Sequence, residues 1–477
     1  MGQYRSINDE KLKILAISNF FPPNVLGGYE IGCHDILCGI SRDADIHLVT
    51  SFSTFYSHDS NNNIGVTVCP VFKPCSAYSI RPNSKTNIFH HERAFSGYIP
   101  ENVLSLRDKI SEFKPDLIYL FNILGIGPVG ILEICVESGI PTVCHLMDEW
   151  DGFFTSKNRR IDLSSKWKAL KAQVTGIACS DYTLKSNSKV GVFGKSFVLP
   201  SGVRFPMSLP LKRSVTSQNK FLYFGQLHPG KGIHRIIEAF HEALFLCPNS
   251  GATLTIIGRG EPEYMKKIHN MALSESHAAS SIRFLPYMPK EKLMNEIPNF
   301  DLTFCPLLSV EAFGYAPIES AAAGVPVVIC RDMPLFSYVE NDSLSPLIIK
   351  NQNDVGGLRQ IMVNSINQKI NLDSLRQIQF HCFKAKFDEK SVFLPRILKI
   401  LSDLSMPSAT FEKHMDSVVA NACIYEQLLS SRLSNEENHS GVKFSMSNSN
   451  GGRLVKLAKI IENRVWELEK KLWKYVT

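Results

Sequence analysis

No apolar run in this chain of 477 residues reaches the roughly 18 to 20 residues that a membrane span needs. The opening Met1-Gly2-Gln3-Tyr4-Arg5-Ser6 has no signal-peptide core, so a cytoplasmic location is expected. The 12 cysteines are scattered singly, many inside apolar patterns, with no Cys-x-x-Cys pair. That excludes a zinc-ribbon or disulfide frame and reads as reduced core thiols. The net charge of +7 is mild for this length, and no helix-turn-helix or aromatic RNA-binding signature accompanies it, so nucleic acid is not an expected partner. No Asp-x-Asp triplet stands where it would hold a catalytic metal, so no metal site is expected.

What the chain does have is alternation. Short apolar strands over 12–17, 46–50, 116–121, 141–145 and 176–180 are separated by helical patterns, including 29–40 and 129–137. A break comes at Val198-Leu-Pro-Ser-Gly-Val203, and 207–220 is polar, basic and aperiodic. The alternation restarts with strands over 221–224, 252–257, 282–285, 302–305 and 326–330 and a helix over 233–244, in which Ile233, Ile236, Ile237, Phe240 and Leu244 recur at helical spacing. Near-continuous apolar strands between helices imply parallel, doubly wound sheets. The expected organisation is an α/β chain of two Rossmann-like domains facing a cleft: a first domain over 1–203, a linker over 204–220, and a second domain over 221–404. A helical C-terminal tail over 405–477 completes it, with a flexible Ser/Asn/Gly-rich link at 441–452.

The chemistry-bearing residues collect at strand ends. After the strand at 302 comes Glu311-Ala-Phe-Gly-Tyr-Ala-Pro-Ile-Glu319, two carboxylates with seven residues between them, and then Gly324-Val-Pro-Val-Val. A glycine-bearing loop at the carboxyl end of a strand is where an open α/β sheet binds its ligands, and Gly314 lets backbone approach closely. Paired carboxylates there suit a polyhydroxylated ligand, because charged acceptors bind hydroxyls more strongly than neutral ones. In Leu222-Tyr-Phe-Gly225-Gln226-Leu-His-Pro-Gly-Lys231-Gly232 a lysine ends a Gly-rich strand-to-helix turn, so its ammonium and the first helical amides can converge on phosphate. Ile256-Ile-Gly258-Arg259-Gly260 is a strand-end glycine turn; Arg259 either contacts a ligand or lies in solvent.

Taken together, the order strand, Glu-Ala-Phe-Gly, four residues, Glu, Ser-Ala-Ala-Ala-Gly, Val-Pro-Val-Val resembles the donor-sugar signature of the family-four retaining glycosyltransferases. The resemblance spans roughly residues 11 to 400 and implies the glycosyltransferase-B fold. It implies that Glu311 contacts the hydroxyls of the donor sugar and Glu319 the ribose, with Phe313 and Gly314 in the same donor-binding motif. Gly225 and Lys231 match the family's phosphate turn, but Gln226 stands where the family has an arginine, with His228 or Arg259 as candidates to compensate. Gly258 and Arg259 match a turn lining the base pocket. Gly27 and Gly28 match a loop whose amides face the donor phosphate and acceptor, His145 a strand-end histidine near the sugar, oriented by Asp148, and 178–185 a strand-to-helix Ser motif. The implied reaction moves a sugar from a nucleoside diphosphate sugar to an acceptor hydroxyl with retention, the leaving phosphate assisting a same-face attack. His145, Glu311 and Lys231 are its catalytic candidates; no cofactor beyond the nucleotide-sugar co-substrate is implied.

The expected acceptor is a glycan or lipid-linked molecule of surface polysaccharide synthesis. The basic, Trp-containing stretch of Lys157, Arg159, Arg160, Lys166, Lys168 and Lys171 is a candidate contact with a phosphorylated acceptor at an anionic membrane on the inner face. Over 453–477, Leu454, Ala458, Ile461, Val465, Leu468 and Leu472 keep a 3,4 spacing, a seam for self-association, a partner helix or an interfacial membrane helix. Two alternatives stay open: a non-catalytic sugar-nucleotide-binding or scaffold protein, which Gln226 keeps in play, and a nucleotide-sugar isomerase or hydrolase on the same fold.

Overall fold

The computed structural model describes residues 11–25, 27–51, 65–74, 97–155, 162–211, 219–305, 312–339, 342–351, 353–405 and 415–440. The chain divides into two compact units. One takes in 1–177, 184–197 and 398–477; the other takes in 178–183 and 198–397.

The first unit is built on a seven-stranded sheet of order β3-β2-β1-β4-β5-β6-β7. Its strands are β1 (Leu12–Ile17), β2 (Ala44–Ser51), β3 (Val66–Phe72), β4 (Leu117–Leu120), β5 (Thr142–Leu146), β6 (Thr175–Ala178) and β7 (Lys195–Val198). β1 runs parallel to both β2 and β4, and β4 to β5. Helices Gly28–Ile40, Pro100–Phe113 and Pro128–Glu137 connect them, and β4, β5 and β6 are buried along their whole length, as a sheet covered on both faces requires.

A six-stranded sheet of order β10-β9-β8-β11-β12-β13 forms the second unit. Here β8 is Lys220–Leu227, β9 Thr253–Gly260, β10 Ile282–Leu285, β11 Leu302–Cys305, β12 Val327–Cys330 and β13 Ile348–Ile349. The expected apolar face of helix Ile233–Leu246 is the buried one: Ile233, Ile236, Ile237 and Phe240 are fully covered. Two sheets of parallel-paired strands flanked by helices are the glycosyltransferase-B architecture anticipated above, and both reverse their strand order next to their first strand, β1 and β8.

Three strands were not anticipated: β3, β7 and β13. All three are sheet edges, where one side of the ladder is unpaired. β3 even contains Pro70, tolerated because an edge strand does not need every N–H. Beyond Leu404, helix Met415–Ser440 packs on helices Pro100–Phe113 and Pro128–Glu137 of the first unit, burying Val418, Val419 and Ala422. The proposed link at 441–452 and seam at 453–477 lie outside the described residues.

Candidate functional site

In the second sheet the order reverses between β8 and β11, the place where a doubly wound sheet opens a crevice at its carboxyl edge. β8 runs further than the pattern suggested, to Leu227, and pairs in register with β9: Gly225 with Gly258, Gln226 with Arg259, Leu227 with Gly260. Gly258 and Gly260 therefore belong to a strand and not to a turn. They are glycines because a Cβ on Gly258 would lie 2.0 Å from the Gly225 carbonyl oxygen, and one on Gly260 would lie 1.9 Å from that of Leu227.

After β8, a short 3-10 turn Pro229–Lys231 leads into helix Ile233–Leu246. The His228 imidazole caps that turn, its Nδ1 accepting from the Gly230 amide at 3.1 Å. Lys231, partly exposed, sits at the carboxyl end of the central strand. Arg259, on the neighbouring strand, lays its guanidinium 4.8 Å from the ring centroid of the exposed Tyr287.

Beyond β11, Glu311 lies outside the described residues. The residues after it are held by the surrounding chain. The Ala312 carbonyl accepts from the Ser180 hydroxyl at 2.5 Å and from Thr183 at 3.0 Å, so the Ser motif at 178–185 acts as a clasp on the glutamate loop, within the second unit. Gly314 has φ +98° and opens helix Tyr315–Ala322, a conformation that favours glycine. The expected donor contact by the Phe313 ring is not what the structure has. That ring is buried against Tyr338 and Phe387, 6.0 and 5.6 Å between centroids, and anchors the loop from the core side. Glu319 projects from the helix with its side chain 15% exposed, 3.8 Å from the ammonium of Lys290. Lys290, at the start of helix Lys290–Glu296, was missed in the sequence because it belongs to no motif and approaches Glu319 only through the fold.

The first unit holds the other predicted residues. His145 lies in β5 near its carboxyl end and is wholly buried. Its Nδ1 is 2.5 Å from the Tyr119 hydroxyl, and its ring stacks on Phe121 at 5.5 Å between centroids. Burial pushes its pKa down to about 3, so the imidazole is neutral throughout the physiological range. Asp148, expected to orient that ring, turns to its own loop: its carboxylate accepts the Glu149 amide and its carbonyl accepts from Asn187. Tyr29, in the first turn after Gly28, donates its hydroxyl to the His145 carbonyl and accepts the Met147 amide at 3.3 Å, joining the glycine loop to the histidine strand.

Gly27 and Gly28 have open space where a Cβ would stand. The Gly27 amide donates to Glu30 at 2.8 Å, closing a capping box. That amide, expected to face a phosphate, is thus committed to the helix. Asn19, directly after β1 at the reversal point of the first sheet, is fully buried, its amide donating to the Asn122 carbonyl at 2.6 Å. A polar pair Ser18-Asn19 ending an apolar strand was the signal for it in the sequence.

The basic stretch is also reassigned in part. Lys171 and Asp151 are both fully buried and paired at 2.8 Å, Asp151 also accepting from the Trp167 indole at 3.0 Å and the Val190 amide at 2.7 Å. Burial lowers the Lys171 pKa while Asp151 draws it back up. Lys166 pairs with the buried Glu133 at 2.5 Å. The buried Lys171–Asp151 pair holds the segment after β5 in place, whereas Lys166 is partly exposed and Lys168 exposed; 156–161 lies outside the described residues.

Residues 211–362 match the family model described as glycosyl transferases group 1. Among solved structures, HepE of Anabaena aligns with TM-score 0.60 at 18% identity over 82% of this chain and 100% of its own, in crystals with UDP, with UDP and glucose, and with UDP-glucose. Sucrose-phosphate synthase of Thermosynechococcus elongatus aligns with TM-score 0.64 at 15% identity over 83% and 99%. WaaG, a glycosyltransferase involved in lipopolysaccharide biosynthesis, aligns with TM-score 0.55 at 16% identity over 82% and 99%. No curated protein sequence matches the chain. The chain thus has the glycosyltransferase-B fold, and its residues 211–362 are similar to the group 1 glycosyl transferases.

Proposed function

We propose that the protein is a retaining, metal-independent glycosyltransferase that moves a sugar from a nucleoside diphosphate sugar to a hydroxyl of a glycan or lipid-linked acceptor, at the inner face of the membrane. The observation that carries this reading is the placement of the Lys231 turn after β8 and the Glu319 helix after β11, the two strands on either side of the reversal point of the second sheet. Cation and carboxylate there match the two chemistries of the donor, phosphate and hydroxyl. Lys231 and the first amides of its helix offset the charge that grows on the leaving diphosphate. Glu311 and Glu319 take the sugar and ribose hydroxyls. His145, neutral because it is buried and with its Nδ1 on the Tyr119 hydroxyl, acts in positioning the strand end that carries it and not as a cation. HepE, with UDP-glucose bound, and WaaG, with its role in lipopolysaccharide biosynthesis, support the donor class and the setting.

The test is a thermal-shift screen of UDP-, GDP-, ADP- and TDP-sugars, followed by a transfer assay that reads the anomeric configuration of the product. One donor is expected to stabilise the wild type, Lys231→Ala and Glu311→Ala to abolish that stabilisation, and the product to keep the donor's configuration. An inverted product, or a shift that survives in both variants, contradicts the proposal.

A further inference from the structure

Position 226, near the carboxyl end of β8, carries an uncharged side chain where the family resemblance has an arginine. Side chains alternate across a strand. Leu222 and Phe224 of β8 and Ile257 of β9 lie in one apolar cluster, whereas Tyr223, Leu227 and Ile256 lie in the cluster on the opposite face. Gln226 and Arg259 therefore share the Leu222 face, and they are register partners. Helix Lys290–Glu296 packs on that same face through Leu293, and the Glu319 helix does so through Ala316. Gln226, Arg259, Lys290 and Glu319 thus belong to one rim.

Of the two residues that the sequence offers as compensation, His228 already spends its Nδ1 on the Gly230 amide. Lys290 is held beside Glu319. Arg259 rests on the Tyr287 ring, a cation–π contact that restricts its rotamers while leaving the edge of the guanidinium open for hydrogen bonds. Among the described residues no carboxylate forms an ion pair with it. A planar guanidinium grips phosphate through two parallel N–H bonds.

We infer that Arg259, carried on Tyr287 and placed by its register with Gln226, supplies the diphosphate contact that residue 226 cannot make. The inference rests on the donor-binding reading above and deepens it: the cationic clamp is Lys231 with an arginine from the adjacent strand.

The experiment is calorimetric titration of wild type, Arg259→Gln and the double variant Gln226→Arg/Arg259→Gln. The probes are the one of UDP, GDP, ADP and TDP that binds the wild type most tightly, and its parent nucleoside. Loss of one charge-assisted contact is expected to weaken the diphosphate about ten- to a hundredfold in Arg259→Gln. Nucleoside affinity is expected to stay within about twofold, and the double variant to recover most of the loss, because the arginine returns on the facing strand. Far-UV circular dichroism and unfolding midpoints matching wild type confirm that the exposed substitution leaves the fold intact. An unchanged diphosphate affinity in Arg259→Gln overturns the inference while leaving the donor site standing. Equal loss for nucleoside and diphosphate overturns it too, moving Arg259 to the base. A wild type that binds none of the four overturns the donor-site reading and this inference with it.

Discussion

At the scale of single residues, two glycines, one histidine and one buried ion pair give the account its sharpest consequences. Gly258 and Gly260 face carbonyl oxygens too close for any Cβ. Gly258→Ala is expected to cost at least the 1 to 3 kcal/mol typical of overpacking, about 3 kcal/mol by chemical denaturation, because the obstacle is backbone and cannot rotate away. His145 has a folded pKa near 3 against an unfolded value near 6.5. Since its pKa is depressed, the stabilisation from burying the neutral ring is fully present above about pH 6.5 and is lost as pH falls toward 3. Denaturation midpoints are expected to fall between pH 7 and pH 4.5, and His145→Gln to show a shallower fall; identical slopes contradict the burial argument. The Lys171–Asp151 pair is enclosed with its hydrogen bonds satisfied, so Asp151→Ala leaves an uncompensated ammonium and is expected to cost about 3 to 5 kcal/mol. A cost below about 1 kcal/mol would place that pair in water.

At the scale of elements, legibility followed burial. The inner strands and helix Ile233–Leu246 could be read from apolar runs and 3,4 spacing because sheet faces and helix stripes hide them from water. The edge strands β3, β7 and β13 were not read, although the edge strand β10 was: β3 is interrupted by Pro70, β7 is largely exposed, and β13 spans two residues. The site was legible where a motif is local in sequence: the Lys231 turn and the Gly314-to-Glu319 helix start lie as expected. It was not legible where partners come from distant segments. Lys290 with Glu319, Tyr29 with the His145 strand, and Ser180 with Ala312 are separated by 29, 116 and 132 positions. The C-terminal helix illustrates the same point. Val418 of Met415–Ser440 is fully buried and Leu428 is 50% exposed. Val418→Ala is expected to lose about 2 kcal/mol and Leu428→Ala less than about 0.5 kcal/mol; equal effects would mean that this helix does not pack on the first unit.

For the molecule as a whole, two units with separate cores need not unfold in one step, so ligand effects should be read transition by transition. A donor held by Lys231, Arg259 and Glu319 stabilises the second unit by about 2.7 kcal/mol at a hundredfold its dissociation constant. That increment belongs on the transition of the second unit. The most direct test of the central claim, that the carboxyl edge of the second sheet grips a nucleotide-sugar, is hydrogen exchange measured residue by residue with and without the stabilising donor. The account predicts slowed exchange concentrated at amides 228–233, 256–260 and 314–320. Protection confined to other segments, with these three unchanged while the donor is bound, would contradict it.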